Sequence, residues 1–88
     1  MTATASDKIK RQAASKVLTR IGEDMKELVG LHLRRYGVIL DSRDTSKFLL
    51  DQLHFGLSVL LGEGTANNLL EQITKEIDEL QSEQVLLS

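Results

Sequence analysis

The residues of this 88-residue chain whose types suit chemistry are two histidines, a serine, a glycine-rich tetrapeptide, an acidic turn and a set of lysines and arginines. His32 and His54 are the only imidazoles. A metal site requires them to converge with a carboxylate such as Asp51, and neither HxxxH nor HExxH spacing brings that about. Both read better as satisfied or half-exposed core histidines. Asp41-x-Arg43-x-Thr45 opens like a calcium loop, but Arg43 occupies the third position, Ser46 replaces the glycine of the sixth and Gln52 the glutamate of the twelfth. A turn with a capping acid is the simpler reading. Ser58 has neither a G-x-S-x-G setting nor a neighbouring base. Gly62-Glu63-Gly64-Thr65 precedes a helix whose free amides could hold an anion. It lacks the GK[ST] end of a P-loop, and Asn67 stands where GxGxxG needs its last glycine. A glycine helix stop followed by a threonine cap explains it more simply. With no Cys there is no thiolate nucleophile, thiolate metal site or disulfide. No enzyme, metal or cofactor is expected.

The basic residues carry the other chemistry. Lys8, Lys10, Arg11, Lys16 and Arg20 can place several charges along one side of a helix, where they would meet phosphates spaced along a nucleic acid. No aromatic residue is interleaved for stacking on single-stranded bases, and a solvated face is the blander and preferred reading. A short strand at 35–40, followed by two helices joined by Gly62-Glu63-Gly64-Thr65, resembles in its order a ribbon-helix-helix repressor. That resemblance covers roughly residues 35–80. It implies a β-ribbon in the major groove, with Arg35 as the one base-reading side chain, and a phosphate at the second helix N-terminus. The chain departs from it in a long central helix and in a further helix placed ahead. DNA-binding regulation, through Lys8, Lys10, Arg11, Lys16, Arg20 or Arg35, is therefore the alternative function.

These groups are to be positioned by helices. Pro is absent and only Tyr36, Phe48 and Phe55 are aromatic, so the core must be built from Leu, Ile, Val and Ala. Ser6 suits an N-cap with Asp7 in the first turn. From there Ile9, Ala13, Val17, Ile21, Met25, Leu28 and His32 recur at helical spacing, with Ala14, Leu18, Val29 and Leu33 beside them. The pattern predicts one long helix reaching Arg35. Gly22 and Gly30 each cost about 1 kcal/mol in a helix interior; either could be a bend or a close helix crossing, and neither alone is enough to end the helix. Gly37 suits the position just past a helix end, behind Arg34 and Arg35. Val38 and Ile39 favour an extended segment, and 41–44 reads as a turn in which Ser42 or Asp44 caps the next helix. The stretch 45–61, apolar nearly all round, predicts a central helix wrapped by others. Thr65 is the expected cap of a last helix over 66 to about 81. In it Leu70, Ile73, Ile77 and Leu80 follow a coiled-coil-like spacing, and Glu71 pairs with Lys75. Residues 1–5 are expected to be disordered, and the apolar tail Val85, Leu86, Leu87 either to dock or to fray.

The expectation is a single all-α domain over residues 6–88, made of three helices: a long first one, a buried central one and an acidic amphipathic last one. Three short helices are too few to hide all the apolar residues, which points to a homodimer sharing a core of Leu49, Leu53, Leu57, Leu60, Leu70, Ile73, Ile77 and Leu80. No stretch approaches a membrane span or a signal peptide, so a cytoplasmic protein with no membrane partner is expected. Charge is polarised, at +4 over residues 1–47 and −6 over 48–88 for a total of −2, which suits antiparallel or head-to-tail helix contacts. The leading functional reading is a non-enzymatic interaction or regulatory module that acts as an oligomer, with itself and another protein as partners.

Overall fold

A computed structural model describes residues 6–41 and 43–87, with the backbone alone at 84–87. The expectations for residues 1–5, for Ser42 as a cap and for the side chains of Val85, Leu86 and Leu87 lie outside the described residues. The described residues form four helices: α1 (Asp7–Thr19), α2 (Glu23–Arg34), α3 (Leu50–Leu61) and α4 (Glu63–Leu87). No strand occurs among the described residues, and no helix is long and apolar enough to cross a membrane. The molecule measures 37 × 25 × 24 Å. Its long dimension is that of α4, whose 25 residues span about 37 Å at 1.5 Å each. α4 packs against α1 and α3, and α2 against α1 and α3.

α1 starts as its sequence predicts, with the Ser6 hydroxyl oxygen accepting from the amide of Ile9 at 3.2 Å. The long first helix is not continuous. It stops at Thr19, and Gly22, at φ +127° and ψ 145°, turns the chain before α2 begins. Only glycine occupies that backbone region at low cost, so at this site Gly22 breaks the helix rather than merely weakening it. The break changes which residues are inside. Ile9, Ala13 and Val17 enter the core with Ala14 and Leu18. In α2 it is Val29 and Leu33 that are buried, while Ile21, Met25 and Leu28, which continue the same apolar stripe, are left exposed.

α2 ends as the sequence suggests. Gly37 takes φ +79°, its amide donates to the Arg34 carbonyl, and the Val38 amide reaches back to the Leu33 carbonyl, both at 3.1 Å. This paired arrangement stops a helix on a left-handed residue, and burial of Val38 beside Leu33 completes it. Residues 38–40 continue without strand pairing.

The central helix starts at Leu50, five residues later than the apolar stretch predicts, because 39–48 is fastened to α1 (below). α3 ends at Gly62, φ +92°, and α4 begins at the next residue. Glu63 lies in its first turn, and Thr65 is a helix residue rather than a cap. A single glycine thus does the work assigned to the whole 62–65 connector. The expected Glu71–Lys75 pair is present at 4.0 Å.

One glycine is needed for packing. Gly56 of α3 is buried where α2 crosses, and a Cβ there would stand 2.6 Å from Leu33 Cδ2 and 3.3 Å from Tyr36 Cδ2. A shared core is no longer required to bury the apolar set. Among the described residues, fifteen hydrophobic ones, including Phe48, Leu53, Leu57, Leu69, Ile73 and Ile77, are covered within one chain.

Candidate interaction surface

The six basic residues nominated for nucleic acid do not form one surface. Arg11 is 2% exposed. Its guanidinium donates from Nε to the Ile39 carbonyl (2.8 Å), from Nη1 to that of Asp44 (2.7 Å) and from Nη2 to that of Ser46 (2.6 Å). The Asp44 carboxylate lies 3.5 Å away, and Phe48 presents its ring at 5.5 Å. The planar fork of arginine suits three acceptors on separate residues. Arg11 is therefore a structural clamp, removed from any surface contact. It holds a segment that also folds on itself. Asp41 accepts from the Arg43 amide at 3.0 Å, and Asp44 from the amide of Ser46 at 2.7 Å as well as from the Ser46 hydroxyl. Asp7 adds a second fastening by accepting from the Phe48 amide at 3.0 Å. These turns are the capping-acid geometry expected for 41–44, though Asp44 serves its own turn instead of α3. Hydrogen bonds from Ser46 hold the Asp44 carboxyl below its ordinary range, with Arg11 contributing charge.

Lys16 and Arg20 are engaged with α4. Glu76 is buried and accepts from Arg20 Nη2 at 2.5 Å, while Lys16 Nζ stands 3.3 Å from its other oxygen at ion-pair distance without hydrogen-bond alignment. The Arg20 hydrogen bond lowers the Glu76 pKa against the upward push of burial, and Lys16 adds to the lowering. The basic first half and the acidic second half thus meet inside the chain, at this triad. Lys8 and Arg35 are exposed and Lys10 is half-buried.

The histidines serve separate contacts. The His32 ring centroid lies 5.1 Å from that of Tyr36, which in turn meets Phe55 edge-on at 5.3 Å. His54 Nε2 lies 2.6 Å from Asn67 Oδ1, joining α3 to α4 across Gly62. No cluster of metal-ligating side chains occurs among the described residues.

The nominated apolar residues divide. Leu53, Leu57, Ile73 and Ile77 are buried within the chain, and Leu70 and Leu80 are partly buried against that core. Leu49 and Leu60 remain 44% and 42% exposed and lie outside it. α3 is therefore not wrapped on all sides; its outer face carries Phe55 and Val59, both more than half exposed. Sequence reasoning missed the part of the surface on and just before α2. Ile21, Met25 and Leu28 are exposed, and Leu31 beside Leu28 is 65% exposed. The ring ladder His32–Tyr36–Phe55 links the α2 side of this surface to the α3 side. Gly22 was the signal. A glycine that breaks the helix turns the continuing stripe out of the core.

A groove beside this surface, lined by Glu23, Lys26, Glu27, Leu31, Arg34 and Asp41 among others, is open and mixed in charge. Among the described residues that line it, none is a nucleophile with a base in hydrogen-bond reach, the arrangement covalent catalysis uses. Comparison with protein-family models, curated proteins and solved structures found no match for this chain.

Proposed function

We propose that this chain is a non-enzymatic helical module that acts as an oligomer, with α2 and the outer face of α3 forming the contact surface. The observation that carries the reading is the set of eight large hydrophobic side chains left exposed among the described residues, seven of them on or flanking these two helices and Ile21 at the turn into α2. Scattered exposed leucines need no explanation, but helical neighbours continued across a ring ladder form a patch of the kind that marks association. The nucleic-acid reading is the less favoured. Three of its six basic residues are committed to carbonyls or to Glu76, leaving few charges to meet phosphates.

Sedimentation velocity over a wide concentration range, alone and with short duplex DNA at low and moderate salt, tests this. Concentration-dependent assembly indifferent to DNA is the expected result. A complex with DNA that dissolves as salt rises would overturn it in favour of a DNA-binding regulator. A monomer at all concentrations, silent to DNA, would remove the self-association on which the reading stands.

A further inference from the structure

On the side of α2 turned away from Val29 and Leu33, Asp24, Leu28, Leu31 and Arg35 follow one another at spacings of four, three and four. That is the spacing of a two-helix coiled-coil seam, with leucines at its two central positions and a charge at each end. All four are exposed, Leu28 and Leu31 at 62% and 65%. The acid sits at one end of the seam and the base at the other, with two leucines between. We infer that a second copy of this chain docks on α2, the two α2 helices running antiparallel about a two-fold axis that passes between Leu28 and Leu31, so that Asp24 of each copy meets Arg35 of the other. This rests on the oligomer reading above and names its interface.

The register follows from the arithmetic of a two-fold contact, in which the surface must complement itself. An axis midway between Leu28 and Leu31 sets Leu28 against the other copy's Leu31, and by the same step Asp24 against its Arg35. The charges flanking the seam agree. Glu27 and Arg34 lie on the same side of α2 and at opposite ends of it from that midpoint, their distances from it differing by two residues, so the long side chain of each stands near its opposite across the axis. A parallel pairing would instead set Asp24 on Asp24 and Arg35 on Arg35. Among the described residues, none of Asp24, Glu27, Arg34 or Arg35 has an ion-pair partner within the chain, although Arg34 acts at longer range on Asp41. The helix dipole by itself favours acids at the start of α2 and bases at its end. It gives no reason for two leucines on the outward seam between them, and no reason for Glu27 to sit four residues after Glu23, where like charges repel.

Charge exchange tests the register. Asp24→Arg alone and Arg35→Asp alone each create two like-charge contacts per dimer, and each is expected to weaken association by about tenfold or more. Asp24→Arg combined with Arg35→Asp restores opposite charges and is expected to recover most of the affinity. Leu28→Asp should leave a monomer. Sedimentation equilibrium reads association, and helical circular dichroism confirms that each variant is folded. Wild-type assembly that ignores the single exchanges would overturn this interface while leaving the oligomer reading standing. Single exchanges that weaken assembly without rescue in the double variant would overturn the antiparallel register. A wild-type chain that stays monomeric overturns both.

Discussion

Arg11 is a cation placed where a small domain least tolerates one, 2% exposed, and it is satisfied by three backbone carbonyls rather than by a single counter-ion. Its removal leaves those part-buried carbonyls without their partner. Arg11→Ala is expected to cost about 3 kcal/mol or more, a large share of the ~5–15 kcal/mol that holds a typical domain. Arg11→Lys should lose most of the same stability, because one ammonium cannot reach acceptors on Ile39, Asp44 and Ser46 together. Denaturant unfolding checks both; a lysine variant as stable as the parent would show that charge alone, rather than the fork, does the work. Glu76 sets a pH dependence. Its folded pKa lies below the ordinary 4.5 because Arg20 hydrogen-bonds the carboxylate. The contribution is therefore present above the unfolded value and is lost as pH falls through the lowered one. Stability should decline on acidification below about pH 4.5, and Glu76→Gln should lower stability at neutral pH while flattening that decline. Asp41 and Asp44, also lowered through their turn hydrogen bonds, will keep part of the acid limb in the variant.

At the scale of elements the fold depends on where glycine permits what other residues resist. Gly22→Ala must either place a Cβ in a region reserved for glycine or straighten the α1–α2 junction, and is expected to destabilise by about 1–3 kcal/mol. Gly56→Ala is a sharper test because two effects oppose. Alanine gains about 1 kcal/mol of helix propensity, while crowding against Leu33 and Tyr36 costs about 1–3 kcal/mol. A net loss, read as a lower denaturation midpoint, is expected; a gain would mean that α2 and α3 do not cross this closely. Much of this was legible in the sequence. The Ser6 cap, the Gly37 helix stop, the Glu71–Lys75 pair and the helical class all follow from local chemistry. The number of helices did not, because a glycine inside an apolar stripe reads the same whether its φ is negative or +127°, and tertiary packing decides between them. The start of α3 was hidden for a related reason. Residues 45–49 have the composition of the helix that follows, and what keeps them out of it is Arg11 and Asp7, nearly forty residues away. The identity of the exposed surface failed with the helix count, since Ile21, Met25 and Leu28 belong to the core only if α1 continues through Gly22.

For the whole molecule, the polarity of charge along the chain is met in part internally, where Lys16 and Arg20 of the basic half close on Glu76 of the acidic half. What remains unmet is an exposed apolar set along α2 and α3 together with the charges at the two ends of α2. If that set is an association surface, substitutions there should separate assembly from folding, unlike Leu53→Asp or Leu57→Asp, which place a charge in a core complete within one chain and should unfold it. The most direct measurement is solution molar mass by light scattering, for the wild type and for Leu28→Asp at matched concentrations. A wild-type mass of twice the 9.8 kDa chain and a folded Leu28→Asp variant at the mass of one are expected. A wild-type mass of a single chain, or a variant that assembles as the wild type does, would contradict association through α2.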